Sequence, residues 1–142
     1  MSSDTLHAAL RAYLEANWTA TPLAWENEAF EAPRDALGNP LPWVMVEASG
    51  NLCAQASIGA GSAAANLWRE EGLVWLHVFV PTGTGSALAR QHARALVDLF
   101  RGLTLAAGTI RYRDASIGRG EPGSDDGKWW RISAGVEWQR DS

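Results

Sequence analysis

The run Leu73-Val74-Trp75-Leu76-His77-Val78-Phe79-Val80, stopped by Pro81, constrains the fold more than any other segment of the chain. Nearly every position in it is apolar, so it reads as a strand with both faces covered, which belongs in the centre of a sheet rather than at its edge. Such a strand needs partners on either side and a layer packed against it.

Hydrophobic periodicity supplies both. Leu6, Leu10, Tyr13, Leu14 and Asn17 recur at helical spacing with Ser3 or Asp4 available as N-cap, which predicts a helix from Thr5 to Asn17. Thr21-Pro22 then breaks the chain, Leu23 to Glu26 is a short extended piece, and Pro33, Gly38, Pro40 and Pro42 make the following connection irregular. Trp43 to Ala48 predicts a strand with Val44 and Val46 on one face and Trp43, Met45 and Glu47 on the other. Ser49-Gly50-Asn51 reads as a turn into a separate half-buried strand over Leu52 to Ile58. Gly59-Ala60-Gly61-Ser62 is a further turn, and Ala64 to Arg69 a weaker strand reaching Glu70-Glu71-Gly72, itself read as a solvated turn.

Beyond Pro81, the positions Leu88, Ala89, His92, Ala93, Leu96, Val97 and Phe100 form the apolar face of a second helix, with Arg90, Arg94 and Arg101 turned to solvent. Ile110 to Asp114 alternates as an extended segment, and Gly118 to Gly127 reads as a long flexible loop. The closing strand is the clearest alternation: Trp130, Ile132, Ala134, Val136 and Trp138 face one way, Arg131, Ser133 and Glu137 the other. Residues 1–142 are therefore expected to form one α+β domain, a mainly antiparallel sheet of five or six strands with two helices packed on one face.

Charge narrows the function. The 12 basic residues are scattered among 16 acidic ones for a net charge of -4, so no basic strip exists on which nucleic-acid phosphates would release counterions. The lone Cys53 cannot form an internal disulfide, the N-terminus lacks a signal-peptide pattern, and no apolar stretch reaches the roughly 20 residues of a membrane helix. Synthesis in a reducing cytoplasm and no membrane partner are expected.

Segments that resemble chemistry fail on detail. Gly83-Thr84-Gly85-Ser86-Ala87-Leu88 lies between strand and helix, where phosphates bind, but has Leu88 where a dinucleotide fingerprint needs glycine and no lysine for a triphosphate loop. It is read as a tight turn ending in a serine or threonine cap. Glu121, Asp125 and Asp126 lack the alternating carboxylates of a calcium loop and are assigned to a hairpin tip or interface arm. His7, His77 and His92 sit inside regular elements and read as core histidines satisfied by neighbours, and no strained serine elbow presents a nucleophile. No catalytic residue, metal ligand or cofactor site is assigned.

Eight tryptophans are the compositional anomaly. Trp75, Trp130 and Trp138 fit the apolar faces of predicted strands. Trp25, Trp43, Trp68 and Trp129 fall near strand ends or on the opposite face, where aromatic anchors of protein interfaces are common.

The order of these features resembles the bacteriophage tail-terminator family, including its members in gene transfer agents. The matching pieces are the leading helix, Trp25-Glu26-Asn27-Glu28-Ala29-Phe30 before a Pro-rich link, and Pro42-Trp43-Val44-Met45-Val46. Val78-Phe79-Val80-Pro81, then Gly83-Thr84-Gly85 opening a helix that ends Asp98-Leu99-Phe100, Ser116-Ile117-Gly118 and the Trp130 to Trp138 strand complete the pattern. The resemblance implies a structural subunit that forms a hexameric ring on the tail tube, ends its polymerisation and meets the head-connector protein while DNA passes through without specific binding. It names no catalytic residues. On this reading Trp25, Asn27, Phe30, Trp43, Trp68, Arg119, Glu121, Asp125, Asp126 and Trp129 are interface candidates, with the 59–62 turn and the 118–127 loop touching neighbours or the tube. The assembled protein would sit at the tail end facing the head. Another head-tail connector or tail-completion protein, or a small hydrolase or ligand-binding module with a pocket at His77 or His92, are the other classes.

Overall fold

The computed structural model describes residues 4–142. In chain order the elements are α1 (Asp4–Asn17), β1 (Leu23–Trp25), β2 (Trp43–Gln55), a 3-10 turn at Ala63–Ala65, β3 (Trp68–Pro81), α2 (Ala87–Leu99), β4 (Thr104–Leu105), β5 (Ile110–Pro122) and β6 (Trp129–Asp141). They build one six-stranded sheet in the order β1-β2-β3-β6-β5-β4. The β1–β2 pair is parallel and every other pair antiparallel, so the sheet is mixed.

The apolar run lies where expected, with β2 on one side of β3 and β6 on the other. Its two faces differ. Val74, Leu76, Val78 and Val80 are buried, and they join Val44 and Val46 of β2 and Ile132, Ala134, Val136 and Trp138 of β6 in a single core. Leu6, Leu10 and Leu14 of α1 and Ala89, Ala93 and Leu96 of α2 close that core from above, so both helices lie on one face. The helices are tied to each other where the Tyr13 hydroxyl donates to the Leu99 carbonyl at 2.7 Å. On the other face Trp75 and His77 are only half-buried, so the expectation that both faces of this strand are covered fails, and Trp75 belongs to the open side rather than to the core. Leu88, assigned to the apolar face of α2, is 46% exposed. The Ser3 alternative for the first N-cap lies outside the described residues, and Asp4 is already helical.

Two expected turns are absorbed into strands. β2 continues through Ser49-Gly50, paired with β3 on both sides of a bulge between Gly50 and Cys53, and Glu70-Glu71-Gly72 lies inside β3. Gly72 makes this possible: a Cβ there would sit 1.9 Å from the Ser49 carbonyl oxygen. The open space lets the Trp138 indole reach across from β6 and donate to that same oxygen at 3.1 Å. Likewise Gly118, Arg119, Gly120 and Glu121 are not loop but β5, which pairs with β6 out to Pro122. Gly120 lies under Trp130, whose ring a Cβ would meet at 1.7 Å. Glycines that read locally as turn signals are here the price of close backbone and indole approach.

Gly72→Ala is therefore expected to lower stability by at least 1–3 kcal/mol, the usual range for overpacking. Chemical denaturation with Trp fluorescence measures it; an unchanged midpoint would show that the Ser49–Gly72–Trp138 contact is not a fold determinant.

Candidate functional site

The sheet face away from the helices carries side chains that no second layer of helices or strands covers among the described residues. At one end Trp43 stacks on Phe79 with ring centroids 4.1 Å apart and planes 5° from parallel, while Trp129 meets Trp43 edge-on at 5.9 Å and Phe30 packs against it at 5.0 Å. The strand register dictates this: Trp43 lies opposite Phe79, and Trp129 opposite Pro81. Three interface candidates, Phe30, Trp43 and Trp129, thus form one cluster. The Trp43 indole N–H is buried without a hydrogen-bond partner among the described residues, an uncompensated donor at its centre.

The other candidates scatter. Trp25 is core, 7% exposed, with His7 against its edge and the Arg11 guanidinium 5.0 Å over its ring. Arg11 also pairs with Glu28 and Glu15, which anchors the 26–30 segment to α1. Asn27 is exposed in a left-handed conformation at φ 54°, tolerated by its short polar side chain. Trp68 is half-buried at the opposite end of the sheet, its indole donating to the Ala63 carbonyl. Glu121 bonds Arg131 at 2.6 Å, and Asp126 accepts from Ser124 and the Lys128 amide, which holds its carboxyl below the usual range. Asp125 and Arg119 point to solvent.

The glycine-rich segment after β3 is a tight turn: Gly83 and Gly85 have φ of 87° and 82°, and Thr84 donates from both its amide and its hydroxyl to Pro81. The expected side-chain cap is not made, because Ser86 adopts a helical ψ and its hydroxyl instead accepts from Arg90.

A row unnoticed in the sequence crosses the centre of the open face. The Ser133 hydroxyl lies 2.6 Å from His77 Nδ1, and Glu47 Oε2 lies 3.1 Å from His77 Nε2. These residues come from β6, β3 and β2, so only strand register reveals the row. Trp75 stacks beside the imidazole at 6.3 Å. The row satisfies His77 and bridges three strands on a sheet surface. The largest cavity described, about 540 Å³, lies elsewhere, among Arg69, Leu103, Arg111, Arg113 and Gln139. His92 packs edge-on against Trp18 at 5.7 Å, and burial lowers its basicity.

Beside that cavity, Asp141 takes Arg69 in two contacts of 2.7 and 3.1 Å and Arg111 in a third of 2.6 Å. One carboxylate near the chain end thereby fastens β3, β5 and β6 together.

A model of the family described as "Phage tail terminator protein" matches residues 5–138. The chain belongs to the phage tail terminator family. This gives it a structural role in a phage tail. No curated protein matches. A solved structure that carries no functional description is similar over 99% of this chain and 96% of its own, with 24% sequence identity and a TM-score of 0.64. That likeness places the terminator chain in a known fold and says nothing further of its role.

Hydrogen bonding from Arg69, reinforced by Arg111, holds the Asp141 carboxyl below the ordinary carboxylate range. A depressed folded-state value means stability present above about pH 4 and lost as pH falls through that lower value. Asp141→Asn should therefore unfold at lower denaturant than the parent at pH 7, with the gap closing progressively below about pH 4; a gap unchanged down to pH 2 would reject the assignment.

Proposed function

We propose that this terminator chain is the subunit of a ring that caps the tail tube, ends its polymerisation and joins the tail to the head-connector or head-closure protein. The observation that carries the reading, beyond the family match, is the hairpin arm formed by the far ends of β2 and β3. Residues 48–68 contain no Asp, Glu, Lys or Arg, in a chain that is 20% charged, yet Leu52, Ile58 and Leu67 within it are 66%, 89% and 37% exposed. A charge-free, solvent-exposed arm is poorly suited to an isolated soluble domain and well suited to burial in an assembly.

The remaining features support the same role. The open aromatic end offers a flat, rigid anchor of the type that dominates interfaces. The acidic balance suits a subunit lining a DNA conduit, since passing DNA must not be held. The Ser133–His77–Glu47 row is read as structural, because a hydrolase needs a substrate cleft and oxyanion donors around its nucleophile. Place in the particle follows: the head-facing end of a virion or virion-like tail. A different connector or tail-completion role would leave tube length unaffected.

Polymerising the cognate tube protein with and without this chain tests the reading. Electron microscopy should show tubes of unlimited length alone and arrested tubes bearing an end ring when the chain is added. Tubes that lengthen equally in both cases would overturn it.

A further inference from the structure

The two outer edges of the sheet are each paired over only part of their length. β1 lies beside Val44–Val46 of β2, and past it Glu26 caps the Ala48 amide at 2.8 Å. From Ser49 to Gln55, β2 is paired on its β3 side alone among the described residues. At the other margin β4 covers only Ile110 and Arg111 of β5, with Leu103 taking the Tyr112 amide. Residues 113–119 of β5 are exposed, and of these Ala115, Ser116 and Ile117 pair with β6 alone among the described residues, between two register breaks.

A soluble protein guards a free edge with charge, proline or a covering element, because open amides and carbonyls recruit another strand. The β2 edge has a bulge but no charge anywhere along the arm. The β5 edge has Arg113, Asp114, Arg119 and Pro122 and a bulge on either side at its margins, between Tyr112 and Ala115 and between Ile117 and Gly120, but an uncharged, regularly paired stretch, Ala115-Ser116-Ile117, at its middle, with Ile117 38% exposed.

We infer that the free edge of β2 in one copy of the chain pairs with the free edge of β5 in the next. This deepens the ring reading above and rests on it. Three geometrical facts favour a second copy of the chain as the occupant. The edges lie on opposite margins of one sheet, so the contact is heterologous and a rotation between copies can close it into a ring. β2 runs antiparallel to β3, β3 to β6 and β6 to β5, so a β2 edge laid against a neighbour's β5 edge with the helices on one side meets it antiparallel. The covering strands sit at opposite ends: Cys53 shares a row with Glu70, Arg140 and Ile110, whereas Ala48 shares one with Val74, Val136 and Ala115. Counted on the unbulged β3 and β6 the two rows are four residues apart, so sliding the copies by four rows, roughly 13 Å, clears β1 of one and β4 of the other and brings the arm beside residues 115–117. A constant stagger between neighbours is also what a closed sheet requires.

The same rows place the Cys53 and Ala115 side chains on the helix face of the sheet, at opposite margins of a single subunit. Ala115→Cys in the otherwise native chain, mildly oxidised, should give an intermolecular disulfide ladder on a non-reducing gel, ending at a closed ring. The ladder should vanish when Cys53→Ser is added. Leu52→Asp, at an exposed position that folding does not need, should keep the thermal midpoint and weaken self-association at least tenfold by sedimentation. Rings that form without any cross-link and tolerate Leu52→Asp would overturn the edge pairing while leaving the ring intact. A chain that stays monomeric even with its tube protein would overturn the ring as well.

Discussion

The structure depends on its core being one-sided. Val74, Leu76, Val78 and Val80 of β3 sit in the middle of a sheet whose helices both lie over the same face, so alternate residues of the helix-covered stretches of β2, β3 and β6 are committed to a single buried layer. At roughly 1.5–3 kcal/mol for each fully buried large aliphatic or aromatic side chain, that layer outweighs any surface ion pair in the molecule. The opposite face then has to be made tolerable without a second layer. Stacking does this: Trp43 on Phe79 and Trp75 beside His77 cover one another and leave a surface that is half-buried rather than bare.

One-sidedness also explains the division of labour along the strands. Where helices cover the sheet, burial sets the register, because a slip of one residue would turn the valines outward. Toward the arm the helices end, and register is kept by polar fastenings: Arg69 and Arg111 on Asp141, and Arg140 against the buried Glu70 at 3.5 Å. Glu70 keeps one oxygen without a partner among the described residues, so this pair contributes more to strand alignment than to net stability.

Sequence periodicity revealed what burial dictates and missed what contact dictates. The helices, the alternation of β6 and the central place of β3 were legible because each follows from a repeated apolar spacing. Continuity of β2 and β5 was not, since Ser49-Gly50 and Gly118 to Gly120 carry local turn chemistry. Only the presence of Ser49 beside Gly72, and of Trp130 beside Gly120, shows that these glycines make room rather than reverse the chain. β4, two residues long, has no periodicity to read. Among candidate site residues, Phe30, Trp43 and Trp129 were picked out separately, but their meeting needed the register. Trp25 has the same local signature and yet lies under α1, because position relative to a helix is not encoded in a strand's own alternation.

Charge distribution gives the exposed regions a common meaning. Arg11, Arg69, Arg94, Arg101, Arg111 and Arg131 are all paired with carboxylates, so the charged surface is largely satisfied within the subunit. Much of what is left open at the surface is apolar or backbone: the arm's exposed Leu52 and Ile58 and the middle of the β5 edge. A folded chain that pairs many of its arginines internally while leaving strand edges and aliphatic side chains open offers non-ionic, directional contacts to a partner. Such contacts are less sensitive to salt than ion pairs and strict about register, which is the combination the proposed ring would need.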